Sequence, residues 1–141
     1  MKALELDPRH YRYNSWLELA YIQKGSYDQA VDAYLKGMDN IGASAEEKAA
    51  VQAAYKTGGW HGYCRTRLDL MRVHADRFYV MPYNLARASA LAGETAQAFH
   101  WLDKAYAEHS DHLVLLKVDP IFDPLRADPR FKDLMRRIGL T

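Results

Sequence analysis

LELAYIQKGSYDQAVDAY, residues 17–34, carries the pattern from which the fold of this chain can be predicted. Its glycine, Gly25, is followed by Gly59 and Gly93, so that three glycines stand at intervals of 34 residues. A small residue occurs five positions after each glycine and a large one four positions later; these pairs are Ala30 and Tyr34, Cys64 and Leu68, and Ala98 and Leu102. A constant period of this length indicates an internal structural repeat.

The first unit of this pattern resembles the tetratricopeptide repeat, a helix–turn–helix unit of about 34 residues. The match consists of Leu17, Ala20-Tyr21, Gly25, Tyr27, Ala30 and Tyr34. The second unit retains Val51, Ala54, Tyr55, Gly59, Cys64, Leu68 and Met71, and the third retains Leu85, Ala88, Gly93, Ala98 and Ala105. His61, Ser89 and Thr95 replace aromatic residues of the pattern. The resemblance implies an all-α fold, a right-handed superhelical solenoid of antiparallel helix pairs with about three repeats and a C-terminal capping segment.

The period also predicts how the chain is divided. We expect a first unit at 11–44, a degenerate second unit at 45–78, a third unit at 79–112 and an Asp-Pro-rich C-terminal cap at 113–141. Residues 1–10 are predicted to be the end of a preceding, truncated repeat, because the segment 3–8 has the pattern of a last helical turn followed by a terminating Asp-Pro. The chain would then be a fragment of a longer protein, and Leu4 and Leu6 would form an apolar edge that favours self-association.

Apolar residues recur at intervals of three and four along most of the chain, which predicts helices at 11–24, 27–40, 44–57, 60–75, 80–92 and 95–108. Gly25, Gly59 and Gly93 are expected to end the first helix of each pair, because glycine adopts the left-handed conformation without a Cβ penalty. Close helix contacts are predicted to bury six small residues: Ala20, Ala30, Ala54, Cys64, Ala88 and Ala98.

Cap signals predict further helix ends. Ser44 and Glu47 have the spacing of a capping box. Asp119, Asp123 and Asp128 each precede a proline, and each step is typical of an N-cap followed by proline at the first helical position. After the last step we expect an amphipathic helix, with Phe131, Leu134, Met135 and Ile138 on one face and Arg130, Lys132, Arg136 and Arg137 on the other. This tail, together with residues 101–106, is similar to the C-terminal end of tetratricopeptide domains in bacterial signalling and regulatory proteins.

Composition excludes several classes of protein. The 141 residues are 49% hydrophobic and 26% charged, as in an ordinary globular domain. Lys and Arg total 19 and Asp and Glu total 18, so no basic excess exists to attract nucleic acid. The single cysteine, Cys64, excludes an internal disulfide and is expected to be an inert packing thiol. No apolar run approaches the ~20 residues of a membrane span and no signal-peptide core follows Met1, so we expect a cytoplasmic protein.

Two groups of residues can be drawn as chemical sites. His109, Asp111 and His112 could ligate a metal, but polar residues are expected at a helix end and no fourth ligand is spaced to join them. His61 and Cys64 could form a thiolate–imidazole pair, but both occupy repeat-core positions and no orienting acid accompanies them. We therefore expect no metal, no cofactor and no enzymatic activity. A helical ligand-binding or enzymatic domain and a structural oligomerisation domain are the alternatives.

The resemblance implies a binding surface, because the concave side of a stacked-repeat solenoid holds a segment of a partner protein. Helical spacing predicts the residues that face this groove: Arg12, Ser15, Trp16, Leu19 and Gln23 in the first unit; Glu46, Ala49, Ala53 and Lys56 in the second; and Tyr83, Asn84 and Arg87 in the third. Some members of the family clamp a peptide carboxylate with lysine and asparagine side chains on this face. Here Ser15 and Leu19 occupy two of the positions where such clamp residues would be needed, which argues against a receptor for chaperone tails. The predicted function is a protein–protein interaction or scaffold module with a hot spot between Trp16 and Arg87.

Overall fold

The structure, a computed structural model, describes the backbone of residues 8–40, 43–76 and 79–140 and the side chains of residues 16–39, 43–76 and 79–140. Within these ranges the chain is helical and contains no strand, which confirms the all-α prediction. The elements in chain order are α1 (Pro8–Lys24), α2 (Tyr27–Asn40), α3 (Ala45–Ala75), α4 (Pro82–Leu91), α5 (Thr95–Ala107), the 3₁₀ helices η1 (Asp111–Leu115) and η2 (Pro120–Leu125), and α6 (Pro129–Arg137).

The observed helices lie close to the predicted positions. Gly59 interrupts α3 with φ 64° and ψ −155°, which are not helical, so residues 45–58 and 60–75 are separate segments as the glycine period predicts. α1 starts at Pro8, whereas the sequence pattern assigned Pro8 to the end of a preceding helix. Proline is tolerated in a first turn because its missing N–H would have no intrahelical acceptor there. Residues 1–7, which include Leu4 and Leu6 of the predicted truncated repeat, lie outside the described residues.

The turns after α1 and α4 have the same structure. Gly25 and Gly93 have φ 74° and 77°, in the left-handed region that favours glycine. Each glycine N–H donates to the carbonyl three residues before it, at 3.0 Å for Gly25 and 3.1 Å for Gly93. The next N–H donates to the carbonyl five residues before it, at 2.9 Å in both turns. This pair of bonds is a Schellman cap, which confirms that these glycines end the first helix of a pair.

Gly62 lets the two segments of α3 approach closely. A Cβ atom on Gly62 would lie 2.7 Å from the carbonyl oxygen of Ala54, a distance that real Cβ atoms essentially never show. Gly59 therefore serves the backbone conformation of the break, and Gly62 serves the close contact that follows it.

The chain forms two compact units, Met1–Thr66 and Arg67–Thr141, and their boundary falls inside the second segment of α3. We call these two compact parts of the structure unit 1 and unit 2; they are not the three 34-residue units predicted from the sequence. Among the described side chains of unit 1, the buried apolar ones are Ala30, Val31, Ala33, Met38, Val51, Tyr63 and Cys64. Those that form the core of unit 2 are Tyr83, Ala86, Ala98, Phe99, Leu102, Ala105, Leu113, Leu116, Phe122, Leu125, Phe131 and Leu134. The repeat boundaries and the superhelical stacking of repeats stay predictions.

Two of the six small residues predicted to be buried are not. The four that are buried are Ala30, Cys64, Ala88 and Ala98. Ala20 is exposed and Ala54 is half-buried. Among the side chains of α1 that the structure describes, the buried one is Glu18, which is 5% exposed. Two residues along a helix are about 200° apart, so Ala20 faces solvent when Glu18 faces the core.

Two of the three Asp-Pro steps are helix caps as predicted. Asp119 and Asp128 each accept a hydrogen bond from the N–H two residues further on, at the starts of η2 and α6. Asp123 is not a cap, because it lies inside η2, which has already begun at Pro120. Its carboxylate pairs instead with Arg126 at 2.7 Å.

The remaining predicted helix features are observed. Ser44 Oγ accepts a hydrogen bond from the N–H of Glu47 at 3.1 Å, which confirms a side-chain cap at the start of α3. α6 is amphipathic: its apolar side chains Phe131 and Leu134 are buried in the core of unit 2, and Met135 and the adjoining Ile138 pack against that core. The basic residues of α6 are exposed.

Candidate functional site

Tyr83 and Arg87, which were predicted to face a groove, contact the C-terminal tail, the segment from η1 to α6. Tyr83 is 1% exposed, and its hydroxyl donates to Asp119 Oδ2 at 2.8 Å. Arg87 Nε lies 3.1 Å from the same oxygen. The Arg87 N–H is not aligned on an acceptor, so this contact is an ion pair and not a hydrogen bond. Tyr83 is therefore buried and does not face a groove, whereas Arg87 keeps 22% of its side chain exposed and its place in a groove stays a prediction.

Asp119 is the centre of this polar cluster. It is 7% exposed, and its backbone carbonyl accepts a hydrogen bond from Arg126 Nη2 at 2.9 Å. Burial, together with the neighbouring Asp119 carboxylate, raises the pKa of Tyr83 far above its ordinary value, so the phenol stays protonated and donates. The cluster joins α4 to the tail. Of the three residues predicted on α4, Asn84 is the one that remains half-exposed without such a contact to the tail within the described residues.

Apolar contacts make the tail part of the core of unit 2. The Phe122 side chain is fully buried, with its ring centroid 5.6 Å from that of Tyr83 and 6.5 Å from that of Phe131. Arg130 covers Phe99, with its guanidinium carbon 4.3 Å from the ring centroid. The predicted cap is therefore an integral layer of unit 2, and it covers the side of α4 that carries Tyr83.

The residues that were considered as metal ligands or as a nucleophile have different environments in the structure. The His112 ring packs 5.8 Å from that of Tyr83, and His109 takes φ 56° at the end of α5. No group of three or more His, Cys, Asp or Glu side chains within the described ranges is placed to hold a metal ion. Cys64 is buried and His61 is exposed, so these two side chains do not share an accessible site.

α1 presents an open face in unit 1. Trp16 is 62% exposed, Gln23 is exposed and Leu19 is half-exposed. Because these residues are three and four positions apart, they lie on one side of the helix. Arg12 and Ser15 precede them on the same helix, and their side chains lie outside the described residues. The structure therefore leaves accessible each residue that was predicted on α1 and whose side chain is described.

The first segment of α3 presents a second open face in unit 1. Ala49, Ala53 and Lys56 are exposed, and so is Glu46 at the start of the segment. Their spacing of three, four and three residues places them on one side of the helix. The opposite side is anchored, since Val51 is fully buried. We call this set of four residues the α3 face.

An aromatic cluster centred on the buried Tyr63 joins the helices of unit 1. Tyr63 is fully buried, and its hydroxyl donates to Glu18 Oε1 at 2.9 Å, which joins α3 to α1. Trp60 stacks on Tyr63 at 4.9 Å and on Tyr27 of α2 at 4.3 Å. The sequence reasoning missed Glu18, although an acid between Leu17 and Leu19 on a helix of apolar pattern is a signal that could have identified it. The hydrogen bond from Tyr63 to Glu18 holds α1 against α3.

No helix within the described ranges combines the length and the apolar character needed to cross a bilayer. No protein-family model matches the chain, and neither a curated protein nor a solved structure matches it significantly. Function must therefore be inferred from the residues and contacts of the chain.

Proposed function

We propose that this chain is a tetratricopeptide-like interaction module that binds a peptide segment of another protein on the open faces of α1 and α3 in unit 1 and has no catalytic activity of its own. The repeat part of the proposal is supported by three glycines with positive φ at 34-residue intervals and by the identical turns at Gly25 and Gly93. The similarity of the tail to bacterial signalling proteins suggests a cytoplasmic regulatory protein as the larger context.

Trp16 is the observation that carries the proposal. It is 62% exposed on a helix whose inward residue, Glu18, is anchored by a buried hydrogen bond. Tryptophan buries a large area with few rotatable bonds, and it is enriched among the residues that dominate binding energy at interfaces. Leu19 adds apolar contact beside it, and the amide of Gln23 can bond to a peptide backbone.

The binding surface is placed in unit 1 because the corresponding face of unit 2 is occupied. A peptide on α4 would have to displace Asp119 from Tyr83 and Arg87, which would leave buried polar groups without partners. The exposed residues of α1 need no such rearrangement. The proposal therefore includes Trp16, Leu19, Gln23, Ala49, Ala53 and Lys56, and it leaves out Tyr83 and Arg87.

The test compares two exposed substitutions. The wild-type chain is used to capture a partner from an extract of its own cells, and the segment that binds is mapped and measured by calorimetry. Trp16→Ala should weaken binding of that segment by ~2 kcal/mol or more, which is about 30-fold. Val118→Ala, a 70% exposed position in unit 2, is the matched control and should leave the affinity unchanged. Equal affinities of wild type and Trp16→Ala, with unchanged helical content, would exclude the α1 face as the binding site.

A further inference from the structure

The four residues of the α3 face are spaced symmetrically about the middle of the segment, and the two end residues carry opposite charges. Glu46 and Lys56 are centred on position 51, and so are Ala49 and Ala53. All four side chains are exposed. The acid and the base stand about 15 Å apart along the helix, with only methyl groups between them on this side. A half-turn about an axis through position 51 therefore exchanges the acidic end with the basic end.

The two charges of this face are unpaired within the described residues. Neither Glu46 nor Lys56 takes part there in an ion pair or a side-chain hydrogen bond, whereas Lys48 of the same segment pairs with Asp39. On α2, Asp32 and Lys36 are also paired, with 3.2 Å between the carboxylate oxygen and the ammonium nitrogen. No described residue therefore neutralises the charges at the two ends of the α3 face.

We propose that the α3 face binds the α3 face of a second copy of this chain, with the two helices antiparallel. In this arrangement Glu46 of each copy faces Lys56 of the other, so one contact is made twice, as in every two-fold interface. Ala49 of each copy faces Ala53 of the other. Alanine lets the helix axes approach to about 8 Å, at which distance the charged side chains can reach across the pair.

The charge order selects this occupant and this orientation. A parallel arrangement would place Glu46 opposite Glu46 and Lys56 opposite Lys56, which is repulsive at both ends. The antiparallel arrangement also aligns the two helix dipoles in opposite directions, which is favourable. A contact of about three helical turns buries less than the ~800 Å² per partner of a typical stable complex, so the dimer is weak and depends on concentration.

The inference stands apart from the proposed peptide binding, because it needs neither Trp16 nor a foreign ligand. The two share Ala49, Ala53 and Lys56, so a second copy and a bound peptide compete for the same residues. Trp16→Ala separates them: it should reduce peptide binding and leave self-association unchanged.

A charge exchange tests the dimer. Sedimentation of the full chain at low ionic strength, over about a hundredfold range of concentration, gives the association constant. Glu46→Lys places a lysine opposite Lys56 twice in each dimer, and Lys56→Glu has the converse effect. Each single variant should lower the association constant by about tenfold or more. The double variant Glu46→Lys with Lys56→Glu restores both pairs and should return the constant to within about threefold of wild type.

Matched controls keep the result interpretable. Asp111→Lys and Lys117→Glu make the same changes of net charge at exposed positions of unit 2 and should leave the constant unchanged. Ala53→Gln should weaken association by separating the helices without any change of charge. A wild-type chain that is monomeric over the whole range, single reversals that behave like their controls, or a double variant that fails to recover association would each overturn the proposal.

Discussion

Positions 34 residues apart in the two units have opposite environments. Ala49 in unit 1 is exposed, and its counterpart in unit 2, Tyr83, is 1% exposed. Ala53 in unit 1 is exposed, and its counterpart Arg87 is paired with Asp119 of the tail. The 34-residue sequence period alone therefore does not determine whether such a position is exposed. In unit 2 the Asp-Pro tail covers Tyr83 and pairs with Arg87.

The largest expected effect tests whether the tail is a core layer of unit 2. Phe122→Ala should lower the free energy of unfolding by ~3–5 kcal/mol, because it removes a fully buried aromatic side chain and leaves a cavity. Val118→Ala in the same tail is 70% exposed and should change the free energy by less than about 0.5 kcal/mol. Chemical denaturation measures both. Similar small losses for the two variants would mean that the tail is a separable cap.

The next effect tests the repeat register in unit 1. Ala30→Leu should destabilise by ~1–3 kcal/mol, since Ala30 is fully buried and the added atoms overpack the core. Ala20→Leu makes the same substitution at an exposed position, and we expect a change within about 0.5 kcal/mol. Thermal denaturation midpoints compare the two. An unchanged midpoint for Ala30→Leu would contradict the register.

A smaller effect compares the shared turn in the two units. Gly25→Ala and Gly93→Ala should each destabilise by ~1–2 kcal/mol, because both residues have φ above 70° and an added Cβ is strained there even though it meets no neighbour. His109 takes φ 56° at the end of α5, so His109→Gly should stabilise by ~1 kcal/mol. Calorimetric melting of the three variants checks the signs. A destabilised His109→Gly would show that its side chain matters more than its backbone.

The smallest effect concerns the bond between α4 and the tail. Tyr83→Phe should destabilise by ~0.5–1.5 kcal/mol at neutral pH, since it removes the hydroxyl that donates to Asp119. Tyr79→Phe removes a comparable bond to Glu108 at a 76% exposed position and should have almost no effect. Urea denaturation distinguishes the pair, and equal losses would contradict the importance of burial.

The effect of Tyr83→Phe on stability is predicted to depend on pH. Because burial raises the pKa of Tyr83 in the folded state, its unfolded form ionises first as pH passes the ordinary value of about 10. Its contribution to stability is therefore present below that pH and is lost above it. The difference in stability between wild type and Tyr83→Phe should shrink in alkaline solution. A difference that stays constant to high pH would indicate that Tyr83 ionises normally.

The helices and turns were predictable because their signals are local. Glycine at a position of positive φ, an aspartate before a proline, and apolar residues at helical spacing act within a few residues of the chain, and Gly25, Gly93, Asp119 and Asp128 all behave as these signals predict. The Asp-Pro signal does not start a helix where its aspartate lies inside another helix. Asp123 is the example, since it lies within η2, whose first residue is Pro120.

The exposure of the candidate-site residues was predictable in part. Helical spacing marked residues of α1 and the α3 face that are exposed or half-exposed, because the side of a helix opposite its core positions is determined by the 3.6-residue period, while their role in binding stays a prediction. Spacing did not reveal Glu18, whose burial depends on a hydrogen bond from Tyr63, 45 residues away in sequence. Nor did it reveal the covering of Tyr83 by Asp119, which is 36 residues away.

The amino-acid sequence thus specifies the all-α class, the positions of the helices and the three glycine breaks, since backbone conformation and helical periodicity are properties of neighbouring residues. Long-range packing specifies which helix faces stay open. The tail carries one buried carboxylate that accepts a hydrogen bond from Tyr83 and forms an ion pair with Arg87, and burying these groups together is favourable only once α4 and η2 are in contact. In the described part of unit 1 the face of Trp16 and the α3 face meet no such covering segment and stay exposed.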